Sequence, residues 1–375
     1  MISPKKILFI FGTRPEAIKL CPLVQELARR PLQFQPIVCV TGQHRAMLDQ
    51  VLAVFGVKPD IDLNLMQPGQ TLISSTSRIL SALEPVFAEQ KPDMTVVQGD
   101  TTSTFAGSLA SFMSKVPIAH VEAGLRTFDL YQPFPEEAYR VLTGRIATLH
   151  FAATEGAAEN LRNEKVSDSH IMVTGNTGID AVLYVRDQLQ EAKLKGSDWS
   201  FLDPKKKLIV VTAHRRENHG QGFENICQAL LQLAAREDVE LVYPVHPNPN
   251  VQEPVNRALG NHPSIHLCQP LDYVPFVDLM SRAYLLITDS GGVQEEGPSL
   301  GKPILVLREK TERPEAVDAG TVILVGTDTS KIVHHATELL ENPEIRDAMS
   351  RIHNPYGDGL ASGRIADVMY SFLNK

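Results

Sequence analysis

Residues 285–316 read LLITDSGGVQEEGPSLGKPILVLREKTERPEA, and the way this stretch breaks up decides the fold. A short apolar run, 285–287, stops abruptly at Asp289-Ser290-Gly291-Gly292. The paired carboxylates Glu295 and Glu296 follow, then a second apolar run, 304–307, and then Thr311-Glu312-Arg313-Pro314-Glu315. Two short strands with a helix start between them are the mark of an α/β protein. A strand ending in Ser-Gly-Gly at a helix mouth leaves backbone N–H groups pointing outward, which suits a phosphate. A tight turn with Ser290 as N-cap accounts for the same residues equally well.

The same alternation runs outward in both directions. Strand-like runs fall at 6–11, 36–40, 94–98, 117–121, 149–152 and 171–174, and again at 208–212, 241–245, 265–268, 285–287, 304–307 and 322–325. The segments between them carry helical periodicity, as in Leu20, Leu23, Val24 and Leu27. Short apolar strands separated by helices predict parallel sheets covered on both faces. Twelve strands are too many for one ordinary open sheet. The polar segment 188–204 divides them, which predicts two Rossmann-like domains facing each other across a cleft, with boundaries at 1–172 and 173–364. The last helical segment, 365–375, is expected to pack back on the first domain.

Composition sets the outer limits. The 375 residues are 43% hydrophobic and 21% charged, with formal net charge −8 and pI about 5.9. That is an ordinary globular balance, and it lacks the basic stripe of a nucleic-acid binder. No apolar run approaches the ~20 residues of a membrane span. The run at 7–11 leads straight into Gly12-Thr13-Arg14-Pro15, so it reads as a first strand rather than a signal peptide. Cys21, Cys39, Cys227 and Cys268 form no CxxC and the histidines no HExxH. Free thiols in a cytoplasmic protein, with no metal site, are the expectation.

In such folds ligands bind beyond the carboxyl ends of the strands. After the first run come Arg14 and Lys19, candidates to hold an anion. After the third comes Asp100, placed to N-cap the next helix. After the fourth, alternation puts His120 and Glu122 on one face, and a carboxylate ending a buried strand needs a partner or a task. Glu136 opens another helix, where the dipole favours its charge. In the second half, His214, Arg215 and Arg216 end a strand. Carboxylates on one wall and a His/Arg cluster with Ser-Gly-Gly on the other suit an anionic ligand with acid–base chemistry beside it. The Gly297–Lys302 segment mimics a P-loop but has the wrong spacing, and residue 303 is proline. The first strand ends in a single glycine, Gly12, so neither ATP nor NAD chemistry is supported.

The strings GTRPEAIKL, TGQHR, QGDTTST, HVEAGLRT, PFPEEAYR, TGNTGIDA, AHRREN, TDSGGVQEEGPSLGKP, TERPEAV and NPYGDG stand in collinear order between about Ile7 and Gly363. Together they resemble the non-hydrolysing UDP-N-acetylglucosamine 2-epimerases. The resemblance implies a glycosyltransferase-B-like fold and a homodimer. It also implies reversible C2 epimerisation of UDP-GlcNAc and UDP-ManNAc, without cofactor or metal and with no nucleic-acid or membrane partner. The family route eliminates UDP to give a 2-acetamidoglucal and adds it back after reprotonation, supplying ManNAc-type sugars for cell-surface polysaccharide.

By the same resemblance Asp100, Glu122, Glu136 and His214 are the catalytic groups. Arg14, Lys19, Leu271, Phe276, Ser290, Gly291, Gly292, Glu296 and Arg313 are the nucleotide-sugar ligands, with Glu296 on the ribose and Phe276 and Leu271 at the uracil. Gln43, Arg215 and His246 match an allosteric site of some members, but Ala46 and Gly69 depart from it, which predicts weak or absent activation. Phe128 and Tyr139 depart near Glu122 and Glu136 and bear on the sugar pocket. The rival readings are a hydrolysing epimerase, a transferase of the same fold, and a non-catalytic UDP-sugar sensor.

Overall fold

In the computed structural model, which describes residues 3–42, 45–65 and 69–375, each expected apolar run is a strand. One more is present, the two-residue Ile61–Asp62, too short and too polar to leave a periodic signal. The chain divides into two compact units, residues 1–181 with 356–375, and residues 182–355.

The first unit holds β1 (Lys5–Phe11), β2 (Phe34–Val40), β3 (Ile61–Asp62), β4 (Met94–Gln98), β5 (Ile118–Ala123), β6 (Leu149–Ala152) and β7 (Ile171–Val173). They form a parallel sheet in the order β3-β2-β1-β4-β5-β6-β7. The second unit holds β8 (Lys207–Thr212), β9 (Val239–Pro244), β10 (Ile265–Cys268), β11 (Leu285–Thr288), β12 (Ile304–Val306) and β13 (Val322–Leu324). Their order is β10-β9-β8-β11-β12-β13, again parallel. Each unit is therefore Rossmann-like. Strand order reverses between β1 and β4 in one and between β8 and β11 in the other, and that reversal opens a crevice for a ligand.

The strands are apolar nearly throughout because helices cover both faces. Leu8, Ile10, Ile37 and Val97 pack with Ile79 and Leu83 in the first unit. Ile209, Leu241 and Ile287 pack with Phe223, Leu230 and Ile332 in the second. The helix Thr102–Met113 approaches β1 closely at Gly107, where a Cβ would lie 3.0 Å from Ile10 Cγ2. That seats the start of this helix, and the Asp100 loop before it, over the β1/β4 reversal.

The loop after β1 is built around a buried carboxylate. Thr13 caps the helix Arg14–Ala28, and Thr13 and Glu16 complete a reciprocal capping box. Glu16 is fully buried. Its Oε2 accepts the N–H groups of Gly12 (3.0 Å) and Thr13 (2.8 Å), and its Oε1 accepts the hydroxyls of Thr101 (2.7 Å) and Thr104 (3.2 Å). Burial raises its pKa, against the opposing hydrogen bonds of Thr101, Thr13 and Gly12. Glu16→Ala removes a cap and strands several buried donors, and is expected to cost about 2–4 kcal/mol. Urea unfolding measures it, and a change below about 1 kcal/mol would show the loops to be held otherwise.

The helix Ala361–Leu373 lies on the helix Arg14–Ala28 within the first unit. Asp180 caps it from a distance in sequence, accepting the N–H groups of Ser362 (2.8 Å) and Ala361 (3.3 Å). Tyr370 meets Phe34 edge-on at 5.8 Å. Among the described residues no helix is long and apolar enough to cross a membrane.

Candidate functional site

In the first unit the candidate residues gather at the strand ends beside the β1/β4 reversal. Asp100 was expected to N-cap the following helix. Thr101 caps it instead, its hydroxyl accepting the N–H of Thr104 at 3.1 Å. The Asp100 carboxylate is thereby released from local work and pairs with Arg140, Nη2 to Oδ2 2.7 Å. Arg140 also reaches Glu137, Nη1 to Oε2 3.3 Å, and Glu137 in turn accepts the N–H of Phe128 at 3.0 Å. Burial pushes Asp100 up to about 6; Arg140 opposes the shift, Glu122 adds to it, Lys19 opposes it and Glu136 adds to it. These four groups therefore lie within electrostatic reach of Asp100. Its side chain keeps 27% exposure, so a ligand can reach it.

Glu122 does not obey the alternation expected of it. The β5–β6 register slips between Val121 and Ala123, and Glu122 has φ +62. A left-handed glutamate at a bulge is strained and re-aimed, a feature concentrated at functional sites. Its carboxylate is set by partners rather than by strand pleat: Lys19 donates to Oε2, and Gln98 Nε2 donates to the same atom at 2.7 Å. His120 serves differently. Fully buried, with its pKa pushed down to about 3 by burial, it bonds through Nε2 to the carbonyl of Gly99 at 2.8 Å. It holds the turn that precedes Asp100.

Glu136 is the half-buried first residue of the helix Glu136–Ile146. Arg14 opens the helix Arg14–Ala28, half-buried. Phe128 is exposed, with φ +64, and Tyr139 stacks on Phe105 at 5.0 Å.

In the second unit the β8/β11 reversal carries the other set. Ser290 stands at the N-cap of the helix Gly291–Glu296, although its hydroxyl makes no capping bond. A Cβ on Gly291 would lie 2.5–2.7 Å from the guanidinium of Arg313, so only glycine lets Arg313 lie against this turn. Arg313 Nε donates to Glu295 Oε1 at 2.6 Å. Gln294, buried, accepts the Thr311 hydroxyl at 2.8 Å. Gly292 is exposed beside Ser290, and Glu296 is half-buried near Tyr273. Tyr273 begins the helix Tyr273–Arg282, which carries Phe276, and Leu271 lies just before it.

His214 follows β8. Its pKa is lowered by burial, raised by Asp289, and lowered by His246 and Arg215. Its ring stacks on His246, centroids 5.4 Å apart. The fold thus brings Arg215 and His246 together with His214; Gln43 lies outside the described residues. Ligand atoms of His334, His335 and Glu338 on the helix Thr329–Glu341 come within 4.8 Å of one another, and none of the three belongs to the site.

Sequence reasoning passed over Glu16, Gln98, Glu137, Arg140 and Asp289. Two of these left signals: Thr13-Arg14-Pro15-Glu16 is a capping-box pattern, and Asp289, like Glu122, is a carboxylate ending a buried strand. Arg140 stands three residues after Glu137, a pairing distance on a helix, but its bond to Asp100 spans distant segments.

A profile of the UDP-N-acetylglucosamine 2-epimerase family matches residues 25–370. The chain is 58% identical over 369 residues to the UDP-N-acetylglucosamine 2-epimerase of Escherichia coli K12, covering 97% of this chain and 98% of that one. The crystal structure of the Neisseria meningitidis UDP-GlcNAc 2-epimerase bound to UDP-GlcNAc is similar with TM-score 0.88 and 48% identity, covering 98% and 100% of the two chains. The Methanocaldococcus jannaschii UDP-GlcNAc 2-epimerase in complex with UDP-GlcNAc and UDP is similar with TM-score 0.77 and 33% identity, covering 97% and 99%.

Proposed function

The chain belongs to the UDP-N-acetylglucosamine 2-epimerase family, and on that premise we propose that it interconverts UDP-GlcNAc and UDP-ManNAc by elimination and re-addition of UDP. The C2 proton passes to a carboxylate while the C1–oxygen bond breaks toward the diphosphate, leaving a C1=C2 double bond. Return of a proton to the opposite face of C2, with attack of UDP oxygen on C1, completes the inversion.

The observation that carries this reading is the group at the ends of β4 and β5. Asp100 with Arg140 and Glu122 with Lys19 are two carboxylates held by separate cations, and inversion needs two acid–base groups. Glu136 lies close enough to bias Asp100. In the second unit, Ser290, Gly291, Gly292 and Arg313 hold the diphosphate, Glu296 the ribose, Phe276 and Leu271 the uracil, and His214 the leaving phosphate. Arg14 adds a cation for the nucleotide sugar. A binding-only protein has no use for the paired carboxylates.

Incubation with UDP-GlcNAc in D₂O, followed by NMR, tests the proposal. UDP-ManNAc appears, with deuterium at C2 of both sugars. Free ManNAc with UDP indicates hydrolysis, and unchanged substrate indicates a sensor.

The turn at Gly291 gives a second test. In Gly291→Ala the new methyl displaces the flexible Arg313 end rather than the backbone. Folding survives, while KM for UDP-GlcNAc rises about 10- to 100-fold, one to two steps of tenfold in binding. An unchanged KM would remove Arg313 from the diphosphate site.

A homodimer and a cytoplasmic setting complete the proposal. Ile73 (84% exposed) and Phe134 (61%) line an apolar groove of about 860 Å³ between the helices Leu72–Gln90 and Glu136–Ile146. Apolar surface of this kind is what a second copy covers. The free cysteines fit a reducing compartment.

A further inference from the structure

The carboxylate of Asp289 has one oxygen that the fold uses and one that it does not. The residue is fully buried directly after β11. Its Oδ2 accepts the backbone N–H groups of His214 (2.8 Å) and Arg215 (2.7 Å) and Nδ2 of Asn218 (3.1 Å). Its Oδ1 is buried without a hydrogen bond, and His214 Nδ1 stands 3.6 Å away. A buried acceptor without a partner is costly, and such exceptions in a folded protein call for a reason. A shift of a few tenths of an ångström brings the imidazole within the ~3.2 Å limit of an N–H···O bond. The ring is free to make it, with its side chain 42% exposed.

We propose that Asp289 is the positioning residue of His214: Oδ1 takes the imidazole Nδ1–H, which fixes the tautomer and presents Nε2 to the leaving diphosphate. The proposal rests on the reading of His214 as the group at that phosphate. A carboxylate behind an imidazole both orients the ring and stabilises its cation. Among the described residues, the other titratable groups that act on the ring cannot do this. His246, stacked on it from the segment after β9, and Arg215, from its own loop, both disfavour the cation. The carboxylate of the same loop, Glu217, is engaged by Arg308 at 2.7 Å. Asn218 adds a neutral tie, donating to both Asp289 and the carbonyl of Leu307 (3.3 Å).

Asp289→Asn keeps an acceptor for the backbone N–H groups and removes the charge. With UDP-GlcNAc as substrate, kcat falls about 100-fold, in the range of a lost acid–base contribution. KM stays within about threefold, and the alkaline limb of the kcat–pH profile moves to lower pH. Asn218→Ala, which loosens the same loop without touching the charge, lowers thermal stability and leaves that limb in place. A purely structural Asp289 makes the two variants alike, with the limb unmoved in both, and overturns the proposal. So does Asp289→Asn with kcat within twofold of the parent. His214→Asn tests the premise separately: full kcat in that variant refutes the reading of His214, whereas loss there beside a normal Asp289→Asn refutes the dyad alone. A measurement independent of any change at Asp289 is the imidazole proton spectrum of the UDP complex. A low-field Nδ1–H signal missing from His214→Asn supports the bond, and its absence from the parent protein counts against it.

Discussion

Asp100→Asn is expected to lower kcat by about 10³-fold, within the range for a positioned acid–base group, while UDP still binds. The substitution is nearly isosteric and removes the ability to exchange a proton together with the charge that faces Arg140. Arg140 remains in place, held by Glu137, so the local frame is kept. The pH dependence gives the sharper test. Burial holds Asp100 near 6, so its ionised form is lost as pH falls through that value. As proton acceptor, Asp100 gives kcat/KM an acid limb with a midpoint near 6, and the residual activity of Asp100→Asn lacks it. A limb at that position in both proteins would assign it to another group. An alkaline limb there, vanishing in the variant, would mean that Asp100 works protonated and leave proton removal to Glu122 or Glu136.

The second large effect is expected at Glu122→Gln, again about 10³-fold in kcat with UDP affinity kept. Glu122 sits at φ +62 in the β5 bulge, a conformation costing a non-glycine residue on the order of 1 kcal/mol or more. Lys19 and Gln98 hold its carboxylate. Glutamine keeps the shape and the hydrogen-bonding oxygen, so the backbone strain and the loop stay as they are. Only the charge and the proton go. Kinetics beside UDP titration calorimetry separate the two outcomes. A normal kcat would make Glu122 a structural partner of Lys19. A loss of UDP binding equal to the loss of rate would move the Lys19–Glu122 pair from chemistry to nucleotide binding.

How much of this was legible in the chain depends on sequence distance. Twelve strands and the parallel, helix-covered character of two sheets follow from local apolar runs and helical periodicity, which act over a few residues at a time. The ends of those strands, and so Asp100, Glu122, His214 and Ser290 as candidates, follow in the same way. The capping box of Thr13 and Glu16 was equally local and could have been read.

What each candidate does with its side chain was settled only by tertiary contact. Asp100 is free to meet Arg140 because Thr101 takes the capping role, and the two partners are forty residues apart. Glu122 leaves the face that alternation assigns to it because the register with β6 slips at that point. Gly291 is required by the guanidinium of Arg313, not by its own backbone angles. Asp289 gathers His214, Arg215 and Asn218 from more than seventy residues away. The division has a physical origin. Backbone preference and apolar periodicity are short-range and leave their mark in consecutive residues. The pKa of a buried carboxylate, and the direction in which it points, are set by charges and donors that adjoin it only after the chain has folded.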